Sequence, residues 1–298
     1  MIPYKYSQLK NKLGFFEAKS KYASETKYFH LGQLKLFFTE MFFLSKHGKP
    51  GNKVLYVGAA NGYHIEKLAE LFPELYFDLW DPGRFEVKES ANIKIYNQYF
   101  SNTDAKKYTS EGANILFMCD IRTLKIAQFV KQKDEEAIDN LVADDMIMQA
   151  DWVKIINPKY AYLKFRLPYT DITKFKYLKG TIYLQPYSPI STETRLMTNN
   201  YNTYIEYDSV EYDEKLAYFN FVTRQNYRSD KWTKCLNEHN INNEWDNILA
   251  LYISKFYIFN KLNVKSNNAA CKLFMDIVAF HQKRYGDKYD MIFQKKND

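Results

Sequence analysis

The spacing of apolar residues divides the chain into alternating helical and extended segments. From Leu31 onward, Leu34, Phe37, Phe38, Met41, Phe42 and Leu44 recur at helical intervals and predict a helix with a broad apolar face, ending near His47-Gly48. Lys35 lies on the flank of that face, where a lysine ordinarily snorkels. Val54, Leu55, Tyr56 and Val57 form a short run of strand formers that breaks at Gly58-Ala59-Ala60-Asn61-Gly62. Small residues there permit a tight turn and close approach of a ligand to the backbone. Ile65, Leu68, Ala69 and Phe72 then return at helical spacing until Pro73, and Leu75 to Trp80 reads as a second strand closed by Asp81. The predicted unit is strand, glycine loop, helix, strand, acid.

Downstream, Ile93 to Phe100 predicts a third strand and Asn114 to Met118 a fourth, very apolar one that runs into Cys119-Asp120-Ile121-Arg122. Asp134 to Ile156 predicts a long helix, with Ile138, Leu141, Val142, Met146, Met148 and Val153 spaced to cover a sheet. Tyr160 to Leu167 predicts a fifth strand, Thr181 to Gln185 a sixth, and Glu193 with Arg195 opens a seventh; Thr203 to Tyr207 adds a further strand-like piece. Helices are expected near Glu211 to Phe221, Trp245 to Phe259 and Ala269 to Tyr285. Residues 1–29 show no sustained period and read as an extended arm carrying Phe15-Phe16, and the polar tail from Gly286 reads as disordered. Strands alternating with helices predict an α/β fold, Rossmann-like, with a mostly parallel central sheet and helices on both faces. With 298 residues and no linker, residues 1–298 are most simply one domain with the arm appended.

Candidate chemistry sharpens this picture. Asp81, an acid at the end of the second strand, can accept two hydrogen bonds from a ribose diol, in nicotinamide dinucleotides and in S-adenosylmethionine alike. The loop favours the second ligand. Ala60 stands at the middle glycine of G-x-G-x-x-G, and a G-x-x-x-G turn suits a cofactor without a phosphate. An ordinary strand-to-helix turn would carry the same residues. Asp120, after the fourth strand, would face the same crevice in an open parallel sheet, or else cap a helix. Lys164 and Arg166 share one face of an otherwise apolar strand, where two cations need a site, partners or a solvent edge.

Charge and composition add less. Lys and Arg number 42 against 35 Asp and Glu, a net charge of +7, which suits an anionic partner or simply a solvated basic surface. Aromatics reach 17%; bases can stack on such rings, although a biased coding composition would enrich them equally. Cys119, Cys235 and Cys271 are odd in number and far apart, which predicts neither a disulfide framework nor a zinc pattern and points to a reducing compartment. No apolar run of about 18 residues occurs, and Met1 to Lys10 has no apolar signal core, so neither membrane insertion nor export is expected.

Lys35, Asp120, Lys164 and Glu193 each close or flank an element of one predicted sheet, and together they resemble the Lys-Asp-Lys-Glu tetrad of RNA ribose 2′-O-methyltransferases. GQLKLFFTEMFFLSK, VLYVGAANGYHI, ILFMCDIR, YLKFRLPYTD and SPISTETRLM resemble, in order and spacing, segments of the poxvirus cap-specific mRNA 2′-O-methyltransferases, which also serve as processivity subunits of the viral poly(A) polymerase. The resemblance runs from Phe16 to Asn220 and fades beyond. It implies a Rossmann-like methyltransferase fold with S-adenosylmethionine held by Gln33, Tyr56, Gly58, Gly62, Asp81, Arg84, Phe100 and Asp120. It implies Lys164 on the ribose hydroxyl, Lys35 lowering the pKa of Lys164, and Asp120 and Glu193 fixing the two lysines, with no metal required. A cationic 7-methylguanine would lie between Phe16 and Tyr169, its N–H groups on Asp171 and Asp213, with Arg122, Arg166 and Arg195 toward the RNA. The implied partners are m7G-capped mRNA and, in a heterodimer, a poly(A) polymerase catalytic subunit; the implied location is the virion and the cytoplasm of an infected host cell. The chain departs from the family with Phe for Tyr at 16, Tyr for Phe at 169, Asp for Glu at 213 and Asn for Pro at 61. A catalytically silent RNA clamp and an rRNA-type ribose methyltransferase are the alternatives. Tyr252, Phe256, Tyr257 and Phe259 are expected either to mark the partner surface or to complete the core.

Overall fold

The computed structural model describes residues 2–27, 30–123, 135–168 and 173–294. In chain order its principal elements are α1 (Phe15–Tyr22), α2 (Gly32–His47), β1 (Lys53–Val57), α3 (Tyr63–Leu71), β2 (Tyr76–Trp80), β3 (Ile93–Tyr96), α4 (Asn102–Lys107) and β4 (Ile115–Cys119). There follow α5 (Glu135–Ile156), β5 (Tyr160–Phe165), β6 (Lys174–Leu178), β7 (Thr181–Tyr183), β8 (Thr194–Thr198), β9 (Tyr204–Asp208) and α6 (Ser209–Tyr218). The chain closes with α7 (Thr233–Glu238), α8 (Trp245–Asn260) and α9 (Asn267–Tyr285).

Seven strands form one sheet in the order β3-β2-β1-β4-β5-β8-β7, and β6 pairs with β9 separately. β1 to β5 run parallel, while β8 is antiparallel to β5 and β7 to β8. Parallel strands must be buried on both faces, and β4, like β1 beyond Lys53, accordingly reads as an unbroken apolar run. The chain leaves β1 outward to β2 and β3, then returns to β4 on the other side of β1. That reversal opens a crevice beyond the carboxyl ends of β1 and β4. On one face α2 packs with α8 and α9: Phe38 stacks on Phe274 and Phe42 meets Phe256, while Phe43 stacks on Tyr162 of β5. On the other, Trp152 of α5 meets Phe100 edge-on.

Several expectations need correction. The N-terminal arm is anchored rather than simply extended: Ile2 and Leu9 are buried, Lys5 bridges to Tyr183 at the sheet edge, and residues 15–22 are helical with Ala18 buried against Ala217 and Phe221. Its isolated apolar residues fit separate niches, so they leave no period to read. β3 stops at Tyr96, and Phe100 sits beyond it, buried against Trp80. The tail from Gly286 is packed as far as Gln294, because Tyr289 and Ile292 are buried and Phe293 bridges to Ile241; residues 295–298 lie outside the described residues. Cys235 and Cys271 form a disulfide that joins α7 to α9, with Cα atoms 6.1 Å apart across a sequence separation of 36, where the cysteine spacing predicts no disulfide framework. Cys119 is the free, buried cysteine. Tyr252, Phe256, Tyr257 and Phe259 complete the core: Tyr257 is buried and donates to the Leu71 carbonyl, Phe256 packs on Phe42, and Tyr252 lies against Tyr4.

His281 of α9 is fully buried beside Phe37 and Tyr289. Burial pushes its imidazole from 6.5 down to about 4, against the opposing effect of its bond to the Ile277 carbonyl. The unfolded chain therefore takes up a proton that the folded one refuses. The stability this neutral ring contributes is complete above pH 6.5 and is lost as pH falls toward 4. Between pH 7.5 and 5 the loss is about 2 kcal/mol from this residue. Urea unfolding of the wild type and of His281→Phe at both pH values is expected to show a smaller acid-induced loss in the variant; equal losses would contradict the assignment.

Candidate active site

Six charged side chains converge at the carboxyl end of the sheet. Lys35 comes from the first turn of α2, Asp120 follows β4, Lys164 lies in β5, and Glu193 immediately precedes β8. The register brings the last three together, since Cys119 pairs with Leu163 and Lys164 with Arg195. Lys35 Nζ lies 2.7 Å from Glu193 Oε1. Lys164 Nζ lies between the acids, 3.0 Å from Asp120 Oδ1 and 3.5 Å from Glu193 Oε2. Arg122 Nη2 reaches Glu193 Oε2 at 2.8 Å, and Arg195 Nη2 reaches Asp120 Oδ1 at 2.6 Å. Burial alone would raise both carboxyls. The cations overcome it, Arg195 and Lys164 at Asp120 and Lys35 and Lys164 at Glu193, so both acids are held well below the usual carboxylate range. Four cations thus face two carboxylates, an excess of two positive charges.

The tetrad read from the sequence is therefore assembled in space, but one arginine has another place. Arg195, expected to face RNA, is 2% exposed; it donates to Gln185 Oε1, the Cys119 carbonyl and Asp120. A buried guanidinium needs this many acceptors, and the end of β4 supplies them. Arg122 is half-buried on Glu193 at the crevice wall.

Beyond β1 the chain turns at Gly58 and re-enters helix at Gly62, both with positive φ (82° and 73°). A Cβ at Gly58 would stand 2.8 Å from the Asp120 carbonyl carbon and the Ile121 nitrogen. Asp81 accepts from the Ala60 amide at 3.2 Å through one oxygen and from the Gly83 amide at 2.7 Å through the other, so it shapes the loop it faces. Gln33 Oε1 lies 2.8 Å from His64 Nδ1, His64 Nε2 meets Glu40, and Glu40 accepts from the Tyr56 hydroxyl at 2.6 Å. Tyr56 is buried in this chain and supports the loop from beneath. Arg84 is exposed just past Asp81, and Phe100 is buried below it on Trp80.

Sequence reasoning missed a latch on this loop. Glu86 accepts from the Asn61 side chain at 2.9 Å and from Arg284 of α9 at 3.0 and 3.1 Å, while Tyr63 stacks on Phe280 and donates to its carbonyl. Glu86 and Arg284 are 198 residues apart, so no local pattern could have announced the contact.

A cavity of about 610 Å³ lies beside the charge cluster, lined among others by Phe16, Arg166, Thr192 and Asp213. Phe16, at the start of α1, is 84% exposed. Asp213 is a side chain of α6 whose carboxyl is raised by burial and by Glu214, with Arg166 opposing. Arg166 pairs with Asp139 at the wall. The structure thus brings Phe16 and Asp213, expected at the cap, and Arg166, expected toward the RNA, to the lining of one cavity. Tyr169 and Asp171 lie outside the described residues, although Pro168 lines the cavity.

Comparison with known proteins adds a family to this geometry. A family model described as Poly A polymerase regulatory subunit matches residues 2–282. The cap-specific mRNA (nucleoside-2′-O-)-methyltransferase of Myxoma virus (strain Lausanne) is 28% identical over 233 residues, covering 70% of this chain and 66% of the relative. The protein of the same name from Fowlpox virus (strain NVSL) is 29% identical over 227 residues, covering 67% of this chain and 70% of the relative. The match to the Myxoma virus protein thus spans just under two thirds of that relative's length.

Gly58 provides a direct check of the geometry. Gly58→Ala places a Cβ against the Asp120 backbone in a left-handed conformation, which alone costs roughly 1–2 kcal/mol. The variant is expected to melt at a lower temperature than the wild type; an unchanged melting temperature would contradict the close approach.

Proposed function

This chain belongs to the poly(A) polymerase regulatory subunit family, and from that membership and the charge cluster we propose that it methylates the ribose 2′-hydroxyl of the first transcribed nucleotide of m7G-capped mRNA. The observation that carries the reading is the Lys164 ammonium bracketed by two ionised carboxylates on the crevice beyond β1 and β4. Two relatives bearing the name of that activity support it.

The residues fit S-adenosylmethionine, which when bound supplies an electrophilic methyl group on a sulfonium. Gly58 and Gly62 carry no side chain at the two ends of the loop, and Asp81 retains lone pairs for a ribose diol after its two backbone contacts. For the same cofactor the resemblance nominates Gln33, Arg84, Phe100 and Asp120, with Tyr56 supporting the loop through Glu40 and His64. The Lys164 ammonium, ion-paired with Asp120 at 3.0 Å and with Glu193 at 3.5 Å, donates an N–H to the ribose 2′-oxygen, which it steers toward the methyl carbon. Lys35 and Arg122 hold Glu193, and Arg195 holds Asp120. The excess positive charge stabilises the negative charge that develops on the oxygen as its bond to the methyl carbon forms, the sulfur–methyl bond breaks and the hydroxyl proton passes to solvent water. In the adjoining cavity Phe16 offers a ring face to a cationic 7-methylguanine, Asp213 accepts from the base, and Arg166 lies along the path to Lys164. Tyr169 and Asp171 are proposed for the second ring face and second carboxylate.

We further propose a heterodimer with a poly(A) polymerase catalytic subunit, acting in the virion and in the cytoplasm of an infected host cell. A silent RNA clamp would have no use for a lysine held between two acids. Lys164→Ala is expected to lower the rate of labelled methyl transfer to capped RNA by roughly 10²–10³-fold, with affinity for capped RNA retained, and uncapped RNA is expected to be a poor acceptor. Undiminished transfer by the variant, or equal methylation of uncapped RNA, would overturn the proposal.

The cap reading has its own test. Without the N7 methyl the guanine is neutral and the attraction to the Phe16 face is lost, worth about 1 kcal/mol or more. Fluorescence titration is expected to show 7-methyl-GTP binding more tightly than GTP, and Phe16→Ala removing much of the difference; equal affinities in the wild type would contradict it.

A further inference from the structure

Asn97 follows β3 directly and reaches across to the turn that carries Asp81. The residues just before these two, Trp80 of β2 and Tyr96 of β3, are register partners whose rings stack with centroids 4.2 Å apart, so the two strand ends are held side by side. The Asp81 amide continues the pairing by donating to the Tyr96 carbonyl at 3.2 Å. Beyond that bond the Asn97 side chain takes over. Its Nδ2 donates to the Asp81 carbonyl at 3.0 Å and to the Gly83 carbonyl at 2.6 Å, so both of its hydrogens serve one turn.

Folding has little need of these bonds. Asn97 is exposed, and at an exposed turn water satisfies a carbonyl nearly as well as a side chain does. What the amide adds is a fixed geometry. On the other side of the same turn, Asp81 accepts from the Gly83 amide through one oxygen and from the Ala60 amide through the other. There is no slack between them, since a Cβ on Gly83 would stand 2.9 Å from Asp81 Oδ1 and 3.2 Å from Ala60 Cβ. A carboxylate has about four lone-pair directions, and two of these are taken by the backbone. Where the other two point is set by the turn, and a pair of ribose hydroxyls can use them only if both are aimed correctly.

We infer that Asn97 is a positioning residue: by holding the carbonyls of Asp81 and Gly83 it fixes the turn that aims the remaining lone pairs of the Asp81 carboxylate at the ribose diol of the cofactor. This rests on the S-adenosylmethionine reading above. Asn97 acts through Asp81, so its removal weakens cofactor binding and leaves the chemical step as it was.

The test is Asn97→Ala, with S-adenosylhomocysteine and its 2′,3′-dideoxy analogue as calorimetric probes. The variant is expected to bind S-adenosylhomocysteine about tenfold more weakly, to bind the dideoxy analogue as the wild type does, and to raise KM for S-adenosylmethionine with kcat unchanged. Asn97→Asp, of the same shape but with acceptors facing both carbonyls, is expected to lose at least as much, and Asn97→Ala added to Asp81→Ala is expected to cost no further affinity. Unchanged S-adenosylhomocysteine affinity in Asn97→Ala would overturn the inference while leaving the cofactor reading standing. An equal loss with the dideoxy analogue, or losses that multiply with Asp81→Ala, would also overturn it, because Asn97 would then act on the fold at large rather than through Asp81. A wild type that fails to bind S-adenosylhomocysteine would overturn the cofactor reading and the inference together.

Discussion

The contact between Arg195 and Asp120 is the constraint on which the site depends. Ionised carboxylates are costly to bury unless paired, and Asp120 is drawn into a crevice floored by an apolar sheet. Arg195 meets that cost from below. It is itself satisfied by Gln185 and the Cys119 carbonyl, so the pair ties β8 to the end of β4. With Asp120 fixed and ionised, the Lys164 ammonium has a defined place, and Glu193 completes the bracket by binding Lys35 and Arg122 as well. Removing one member of such a network leaves its neighbours buried without partners, so the six residues act as a unit.

The fold positions this unit by ordinary means. A reversal of strand order beside β1 opens the crevice, and a glycine at 58 lets the loop pass within contact distance of Asp120. Asp81 draws the loop toward β2 from inside, while Glu86 and Arg284 hold it from outside through α9. The C-terminal helices are therefore part of the site's support, although they contribute no charge to the cluster. The N-terminal arm does the same for the adjoining cavity: anchored by Ile2, Leu9 and Ala18, it presents Phe16 with most of its surface free.

Much of this was legible in the sequence, for physical reasons. β1, β4 and α2 announce themselves because burial on one or both faces demands continuous or periodic apolar residues, and Asp81 and Asp120 stand out as polar residues ending such runs. Lys164 is conspicuous because a cation in an apolar strand needs a reason. Arg195, placed toward RNA by the resemblance, is buried on Asp120 instead, and no sequence pattern says whether a charged side chain meets solvent or a buried partner. The short elements α4, β6 and α7 are too brief to carry a period. The Cys235–Cys271 bridge, the Glu86–Arg284 latch and the packing of Tyr289 and Ile292 join residues far apart in the chain, and only the folded structure reveals such pairs.

The central claim is that Lys164 acts from a place defined by the carboxylates around it. A double-mutant cycle on single-turnover methyl transfer to capped RNA, combining Lys164→Ala with Glu193→Gln, tests this most directly. If Glu193 works by placing Lys164, the double variant is no slower than Lys164→Ala alone. Losses that multiply would show the two residues acting independently and would contradict the account.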